Sequence, residues 1–561
     1  MRWLLPDAID PLMTRRLVDS TGLAPWVAEL LVRRGFADPA HAQVFLDPKL
    51  RTLSDPFLLP AMHAAVDRLL IAIENRERIA LFGDYDVDGV TSLTVLSRVL
   101  HAYGADVAAF LPHRVDEGYG LSAEGVSRCV ELHRPQLLVA VDCGTASINE
   151  IAQLRDSGID TIVLDHHEPK QELPDAIALV NPKLGNDFRY LCSAGICFKV
   201  AHALAKRRPA PNFDLKDILD LVAIGTIADI VPLVDENRIF AKAGLLRMEQ
   251  TKWPGIKALI EASSLTAPYS ATDVGFGLGP RLNAAGRLAS AEASLELLLT
   301  DDPVRARLLA TSLDQQNRER RTVEDEVLVK AEAQLLNTCH PNEHAAIVVG
   351  ALGWHPGVVG IVASRLQRRY HRPTIVVGFD PMGIGKGSGR SIEGLCLVTA
   401  LGRCAEHLDR FGGHEMAAGL TMRHELFDAF RHAFGLAARE MLSTEQLTPR
   451  LRLDGELRFN DINLRLLQQH DQLQPFGMEN RQPLFYVRRV MSVGEPRLMK
   501  EKHYSFLLRQ GRADCRAVWW NSAEIPLPAP PWDVAFTVRR NEWKGNISVQ
   551  LEIVDVRTSI E

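Results

Sequence analysis

Aspartates recur along this chain in clusters too crowded to sit quietly in a fold. Asp84-Tyr85-Asp86-Val87-Asp88-Gly89 sets three carboxylates on alternate residues, and Asp142-Cys143-Gly144, Asp165-His166-His167 and Asp229 add further acids and two imidazoles. Carboxylates held together repel one another, which destabilises a fold unless cations neutralise them. Oxygen ligands with an imidazole suit Mg²⁺ or Mn²⁺, and a pair of such ions serves phosphoryl chemistry. Metal-dependent phosphoester hydrolysis is the chemistry these residues imply.

Each cluster has a plainer reading. An aspartate at a strand-to-helix turn commonly caps the helix or is simply solvated. The spacing of Asp84, Asp86 and Asp88 also matches the start of a calcium loop, but Val95 stands where that loop needs its glutamate. A lone buried histidine is more often a satisfied core residue than a ligand. Two in succession after an aspartate favour function, because adjacent side chains point differently and one can bind metal while the next faces a phosphate. All four clusters together outweigh the plain readings.

The elements that must carry these residues follow from hydrophobic patterning. The apolar run 78–82 stops at Gly83-Asp84, the run 136–141 at Asp142 and the run 161–164 at Asp165. Such runs between amphipathic helices predict a parallel sheet, buried on both faces, from about residue 78 to 235. Sites in open parallel sheets form beyond the carboxyl ends of the strands. All four clusters, Asp229 included, are placed at strand ends. From about 301 to 337 the chain is charged and free of glycine, which predicts a long helix connecting two domains. Segments 345–350 and 374–377 then open a second, smaller α/β unit that finishes near residue 440.

From about residue 450 the character changes to strand-like pieces (504–508, 534–538, 547–551) split by turns such as Lys544-Gly545-Asn546. Residues 486–561 hold 12 Lys/Arg against 9 Asp/Glu, whereas the whole chain carries a formal −6. Trp519, Trp520, Trp532 and Trp543 fall in the same stretch. Bases and aromatics together fit a small β-barrel of oligonucleotide-binding type. A β-domain with tryptophans in its core fits equally well.

At 561 residues the chain exceeds one core, and roughly three or four domains are expected. No apolar stretch approaches the ~20 residues of a membrane span, and Pro6 and Asp7 interrupt the N-terminus before a signal-peptide core could form. The cysteines (129, 143, 192, 197, 339, 396, 404, 515) include no Cys-x-x-Cys pair, which argues against a zinc site and for a cytoplasmic location with free thiols. The net charge neither marks nor rules out a nucleic-acid partner, since local patches decide contact.

Taken together, Asp-x-Asp-x-Asp-Gly, Asp-Cys-Gly, Asp-His-His and Asp229 resemble the successive motifs of the DHH phosphoesterase superfamily. Ser388-Gly389-Arg390-Ser391 and Gly412-Gly413-His414 resemble the DHHA1 domain that accompanies it. The run from Gly279 to Arg287 (Gly-Pro-Arg-Leu-Asn-Ala-Ala-Gly-Arg) and the β-rich end narrow the resemblance to the superfamily's bacterial single-strand-specific exonucleases. It covers nearly the whole chain from about residue 50. The implied fold is α/β and multidomain: an N-terminal helical extension (1–50), a parallel-sheet DHH domain (51–300), a connecting helix (301–337), a smaller α/β DHHA1 domain (338–445) and an oligonucleotide-binding-type barrel (446–561).

The resemblance also implies roles. Asp84, Asp86, Asp88, Asp142, His166 and Asp229 would hold two Mn²⁺ or Mg²⁺ ions, with Asp142 as the bridge; in other branches a histidine replaces Asp84. Asp165 would be an outer partner or ligand, and His167 would contact the reacting phosphate. Ser388, Gly389 and Arg390, with Arg114, would grip a terminal 5′ phosphate, Arg390 also stabilising charge during reaction. Read alone, that tripeptide is a strand turn with a surface arginine. Gly412, Gly413 and His414 would close the far wall. Arg281 and Arg287 would neutralise backbone phosphates. Asn283 would hydrogen-bond near the metals or serve structure, and Tyr119 would stack on a base or be an ordinary turn tyrosine.

The implied activity is 5′→3′ degradation of single-stranded DNA to 5′ mononucleotides, in repair and recombination, with water activated between two cations. Single-strand-binding protein and a helicase are expected partners, and a monomer is expected because no dimerisation stripe is evident. A phosphodiesterase for short oligonucleotides or cyclic dinucleotides is the rival enzyme, although it would need no long β-rich domain. A catalytically inactive replication scaffold is the other rival, and it would have eroded these acids and histidines.

Overall fold

A computed structural model of the chain describes residues 1–112, 120–288, 291–543 and 545–559. It contains two compact units: residues 3–279, 295–306 and 452–561 in one, residues 1–2, 280–294 and 307–451 in the other.

In the first unit, β1 (Arg78–Gly83), β2 (Asp106–Phe110), β3 (Leu137–Val141), β4 (Asp160–Leu164) and β5 (Ala178–Val180) form an all-parallel sheet. The order is β2-β1-β3-β4-β5. Strand β3 is fully buried along its length, as its unbroken apolar run requires. Gly83 lies opposite Val141, and Val141 opposite Leu164. The next residues, Asp84, Asp142 and Asp165, therefore leave the sheet side by side. Strand order reverses between β1 and β3, where a doubly wound sheet opens its ligand crevice.

Helices Val87–Ala102, Ser193–Arg207 and Leu219–Ala228 pack on one another beside this edge. The last corrects one expectation: Asp229 follows a helix, not a strand. Residues 219–227 are all buried, and apart from Asp220 and Thr226 none of them is polar, so apolar residues lie all round the helix. An amphipathic period is then absent, and pattern alone cannot separate such a helix from a buried strand.

The C-terminal strands Phe485–Ser492, His503–Gln510, Ala513–Trp519, Trp532–Trp543 and Asn546–Thr558 close into a barrel. Its first strand pairs with both the second and the fourth, and the third runs parallel to the fifth. Trp519 and Trp532 belong to its core, which favours the plainer reading for both, while Trp520 is 48% exposed.

The second unit holds a five-stranded sheet in the order Arg410–Gly413, Ala417–Arg423, Ile384–Arg390, Thr374–Phe379, Ile347–Leu352. The last two run parallel and the other pairs antiparallel. The expected long helix runs Pro303–Thr338, and the chain passes from one unit to the other within it. Among the described residues no helix is long and apolar enough to cross a membrane.

Candidate metal centre

The three sheet-edge acids meet the helices. Asp86 caps helix Val87–Ala102, accepting the Gly89 N–H at 3.0 Å, so the capping reading holds for this residue. Asp88, one residue inside that helix, accepts the backbone N–H groups of Ser193 (2.7 Å) and Ala194 (2.9 Å) where helix Ser193–Arg207 begins. Free N–H groups at a helix start favour such an anion. Asp142 adopts a left-handed φ of 62°, and its Oδ1 accepts from Ser193 Oγ at 2.9 Å. Two glycines permit the crowding: a Cβ on Gly89 would stand 2.2 Å from the Asp84 carbonyl oxygen, and one on Gly225 would stand 2.9 Å from Asp88 Oδ1.

His166 Nε2 sits among the carboxylates, 3.3 Å from Asp142, 3.6 Å from Asp229 and 3.9 Å from Asp88. Three sets of side chains bring ligand atoms within 4.8 Å of one another: Asp84, Asp86 and Asp142; Asp88, His166 and Asp229; Asp142, His166 and His167. Asp142 and His166 are each shared by two sets. Sharing of that kind is what two neighbouring ions need. Asp165 belongs to none of the sets. It accepts from the Thr145 N–H (2.9 Å) and the His166 N–H (2.8 Å), and meets His167 Nδ1 at 2.7 Å. That contact orients the His167 ring. Asn181 holds the loop, donating to Thr145 Oγ1 and to the His167 carbonyl. Sequence reasoning missed Ser193, Thr145 and Asn181, since single polar residues without a motif carry no signal.

The electrostatics fit a cation. Burial and then Asp86 push the Asp88 carboxyl up to about 6. Burial and then Asp88 push Asp229 up to about 9. Asp142 is raised by burial and by Asp88, Asp86, Asp84 and Asp229 around it. Burial lowers the His166 imidazole to about 4, which keeps it neutral and ready to ligate. Burial opposes charge on Asp165 and His167 too, but their contact wins: Asp165 lies well below the usual carboxylate range and His167 above the usual imidazole value.

A pH dependence follows for the metal-free protein. Folded Asp88 and Asp229 keep protons that an unfolded aspartate releases near pH ~3.9, so the contribution of these two groups to stability is fully present below that pH and is lost as pH rises through about 6 and about 9. The expected result is a melting temperature in chelator that drops from pH 5 to pH 9. Mn²⁺ is expected to restore more of it at pH 8.5 than at pH 5.5. A melting temperature independent of both pH and Mn²⁺ would remove the cation from this cluster.

The remaining candidates lie elsewhere. Ser388, Gly389 and Arg390 end strand Ile384–Arg390 in the second unit. Arg390 donates to Ser388 Oγ (2.9 Å) and the Gly389 carbonyl (2.7 Å), and among the described residues no carboxylate pairs with it. Burial lowers its pKa. A half-buried, acid-free guanidinium is not the surface arginine of the plainer reading. Gly412 and Gly413 are exposed on strand Arg410–Gly413, Gly413 at φ 144°, and the His414 N–H closes the hairpin on the Ala417 carbonyl at 2.8 Å. Arg281 is held by Asp314 through Nε at 2.9 Å, and Asn283 is partly buried. Arg114, Tyr119 and the side chain of Arg287 lie outside the described residues.

Known proteins resemble this chain over its whole length. Three family models match in order: the DHH family N-terminal domain over residues 78–226, the DHHA1 domain over 344–440 and the RecJ OB domain over 453–555. The single-stranded-DNA-specific exonuclease RecJ of Bacillus subtilis is 37% identical over 572 residues, spanning 100% of this chain and 71% of that protein. The crystal structure of RecJ from Thermus thermophilus in complex with Mn²⁺ superposes with a TM-score of 0.85 at 33% identity, covering 100% of this chain and 80% of that one. The same organism's RecJ in complex with Mg²⁺ gives 0.79 at 31% identity, covering 100% and 79%. With the whole length matched at such identity, and all three domain models in sequence, the chain belongs to the RecJ family of DHH phosphoesterases.

Proposed function

We propose that this chain is a divalent-metal-dependent exonuclease that shortens single-stranded DNA from its 5′ end and releases 5′ mononucleotides, in DNA repair and recombination. The convergence of Asp84, Asp86, Asp88, Asp142, His166 and Asp229 beside the sheet's switch point carries the reading. Relatives named as single-stranded-DNA-specific exonucleases support its substrate. Two Mn²⁺ or Mg²⁺ ions held by these residues would supply charge neutralisation and a more acidic water.

The chain's own groups do the rest. Asp142, a member of two of the three ligand sets, would hold both ions. Asp165, in contact with His167 Nδ1 at 2.7 Å, fixes the ring that would face the reacting phosphate. Arg390, with Ser388, Gly389 and Arg114, receives the terminal phosphate, because a guanidinium with no carboxylate partner among the described residues suits a phosphate fork. Gly412, Gly413 and His414 border that phosphate, and Arg281, Asn283, Arg287 and Tyr119 follow the strand. The five-part division at residues 50, 300, 337 and 445 gives each task its own module, the barrel holding incoming strand. The enzyme works as a cytoplasmic monomer, a location consistent with eight free cysteines. It receives strands from a helicase and single-strand-binding protein.

The test is product analysis on end-labelled strands. We expect mononucleotides from the 5′ end of single strands alone, faster with a 5′ phosphate, and none in chelator. Release from 3′ ends, or equal attack on duplex, would overturn the reading.

A further inference from the structure

Within the second unit, helix Pro356–Tyr370 packs on the strand that ends in Ser388, Gly389 and Arg390. Its apolar stripe, Val358, Val359, Val362, Ala363 and Leu366, is buried against Ile347, Val349 and Val376 of the sheet. His355 caps its start, accepting the Gly357 N–H through Nδ1 at 3.0 Å. Core contacts and cap together fix where the helix sits over the strand.

Gly360 stands in the body of that helix, where glycine is less favourable than alanine. Its surroundings supply a reason for it. A Cβ on Gly360 would stand 3.0 Å from Ser388 Oγ and 3.3 Å from Arg390 Nη2, inside the ~3.5–4.0 Å of ordinary contact. The bare helix backbone and the Ser388–Arg390 pair therefore meet with nothing between them. Arg390 uses Nη1 to donate to Ser388 Oγ (2.9 Å) and to the Gly389 carbonyl (2.7 Å). Among the described residues its Nε and Nη2 donate to nothing, and neither is sealed in the interior. These two nitrogens form one edge of the guanidinium, an edge that can grip a phosphate through two parallel hydrogen bonds. Nη2 is thus both half of that edge and the atom that a side chain at position 360 would crowd.

We propose that Gly360 is a positioning residue for recognition of the terminal 5′ phosphate: its bare backbone lets Arg390 lie against the helix with the Nε–Nη2 edge open. The proposal rests on the reading of Ser388, Gly389 and Arg390 as the phosphate site, and extends it to a residue that carries no polar side chain and acts only through that pair. Alanine at this position would force Ser388 and Arg390 to give by a few tenths of an ångström. Misplacement by ~1 Å can cost ~100-fold in a reacting geometry, so a loss of about tenfold is expected from the smaller shift.

The experiment uses the full chain and compares wild type, Gly360→Ala, Ser388→Ala and the double variant. In Mn²⁺, kcat/KM is measured on one single strand carrying either a 5′ phosphate or a 5′ hydroxyl. In chelator, where no cleavage is expected, fluorescence anisotropy gives the affinity for the same two strands. Gly360→Ala should melt no lower than wild type, because alanine favours the helix. It should lose about tenfold in kcat/KM on the phosphorylated strand and less than about twofold on the hydroxyl strand. The ratio of the two affinities should fall with it. In the Ser388→Ala background, where Oγ is gone and Arg390 has lost an anchor, the same substitution should cost less than about twofold. Wild-type discrimination between the two ends in Gly360→Ala overturns the proposal. So does an equal loss on both strands, which marks a structural role, and so does an undiminished loss in the Ser388→Ala background. A wild type that treats both ends alike in both assays removes the phosphate site itself, and the proposal with it. A wild type without nuclease activity sinks the exonuclease reading alone, and the affinities still decide the role of Gly360.

Discussion

Asp142→Asn is expected to abolish nuclease activity while leaving the fold intact. Asparagine tolerates the left-handed φ of 62° and can still accept from Ser193 Oγ, so geometry is preserved and only the charge is lost. The lost charge is the one shared between two ligand sets, beside His166 at 3.3 Å. The expected fall in kcat is about 10³-fold or more, beyond the ~10–100-fold that losing an outer partner of a metal ligand costs. Stability should move the other way. Burial and four surrounding aspartates raise the Asp142 carboxyl, so removing its charge relieves repulsion in the metal-free state. The variant in chelator should melt no lower than wild type at pH 8, and Mn²⁺ should raise its melting temperature less. Wild-type turnover in Mn²⁺ would take Asp142 out of the centre, and a large drop in melting temperature would make its role structural.

Asp84, Asp142 and Asp165 were legible in the sequence because a parallel strand buried on both faces is an unbroken apolar run, and the first acid after it marks the edge. What the run could not give was strand order. The reversal between β1 and β3, which sets Asp84 beside Asp142, comes from pairings remote in sequence. Asp229 was found as a ligand candidate but placed on the wrong element, since helix Leu219–Ala228 is buried all round and shows no period. Ser193 and Asn181 were illegible, because their value lies in what the fold brings to them. For the tryptophans composition left two readings open, and burial separates Trp519 and Trp532 from Trp520. Arg390 shows the converse: its tripeptide looks ordinary, and the absence of an acid partner among the described residues gives it its character.

Arg238→Ala is expected to cost the largest share of stability of any single change outside the metal centre, about 3–5 kcal/mol by analogy with other uncompensated buried groups. Arg238 is 1% exposed on helix Asp235–Met248. Its guanidinium donates to the carbonyls of Phe45 (2.7 Å), Gln474 (2.9 Å), Gln472 (3.3 Å) and Pro475 (3.4 Å), and lies 3.9 Å from the Phe45 ring centroid. Burial lowers its pKa to about 9, which leaves it charged at neutral pH. No carboxylate is among these acceptors. Three of the four carbonyls lie at or just past the C-terminal end of helix Leu464–Gln472, where the helix dipole favours a cation. One side chain thus joins the N-terminal helices, the sheet domain and the segment leading to the barrel. Alanine leaves four carbonyls without their donor and opens a void, whereas lysine keeps the charge but not the fork and should recover only part of the loss. Urea unfolding measures both, and a cost below about 1 kcal/mol for alanine would mean that other contacts hold the three parts together. Helix Asp235–Met248 packs on helix Leu219–Ala228, which ends at Asp229. Loosening Arg238 should therefore also raise the Mn²⁺ concentration needed for half-maximal activity, linking a residue that touches no substrate to the ligand at the end of the neighbouring helix.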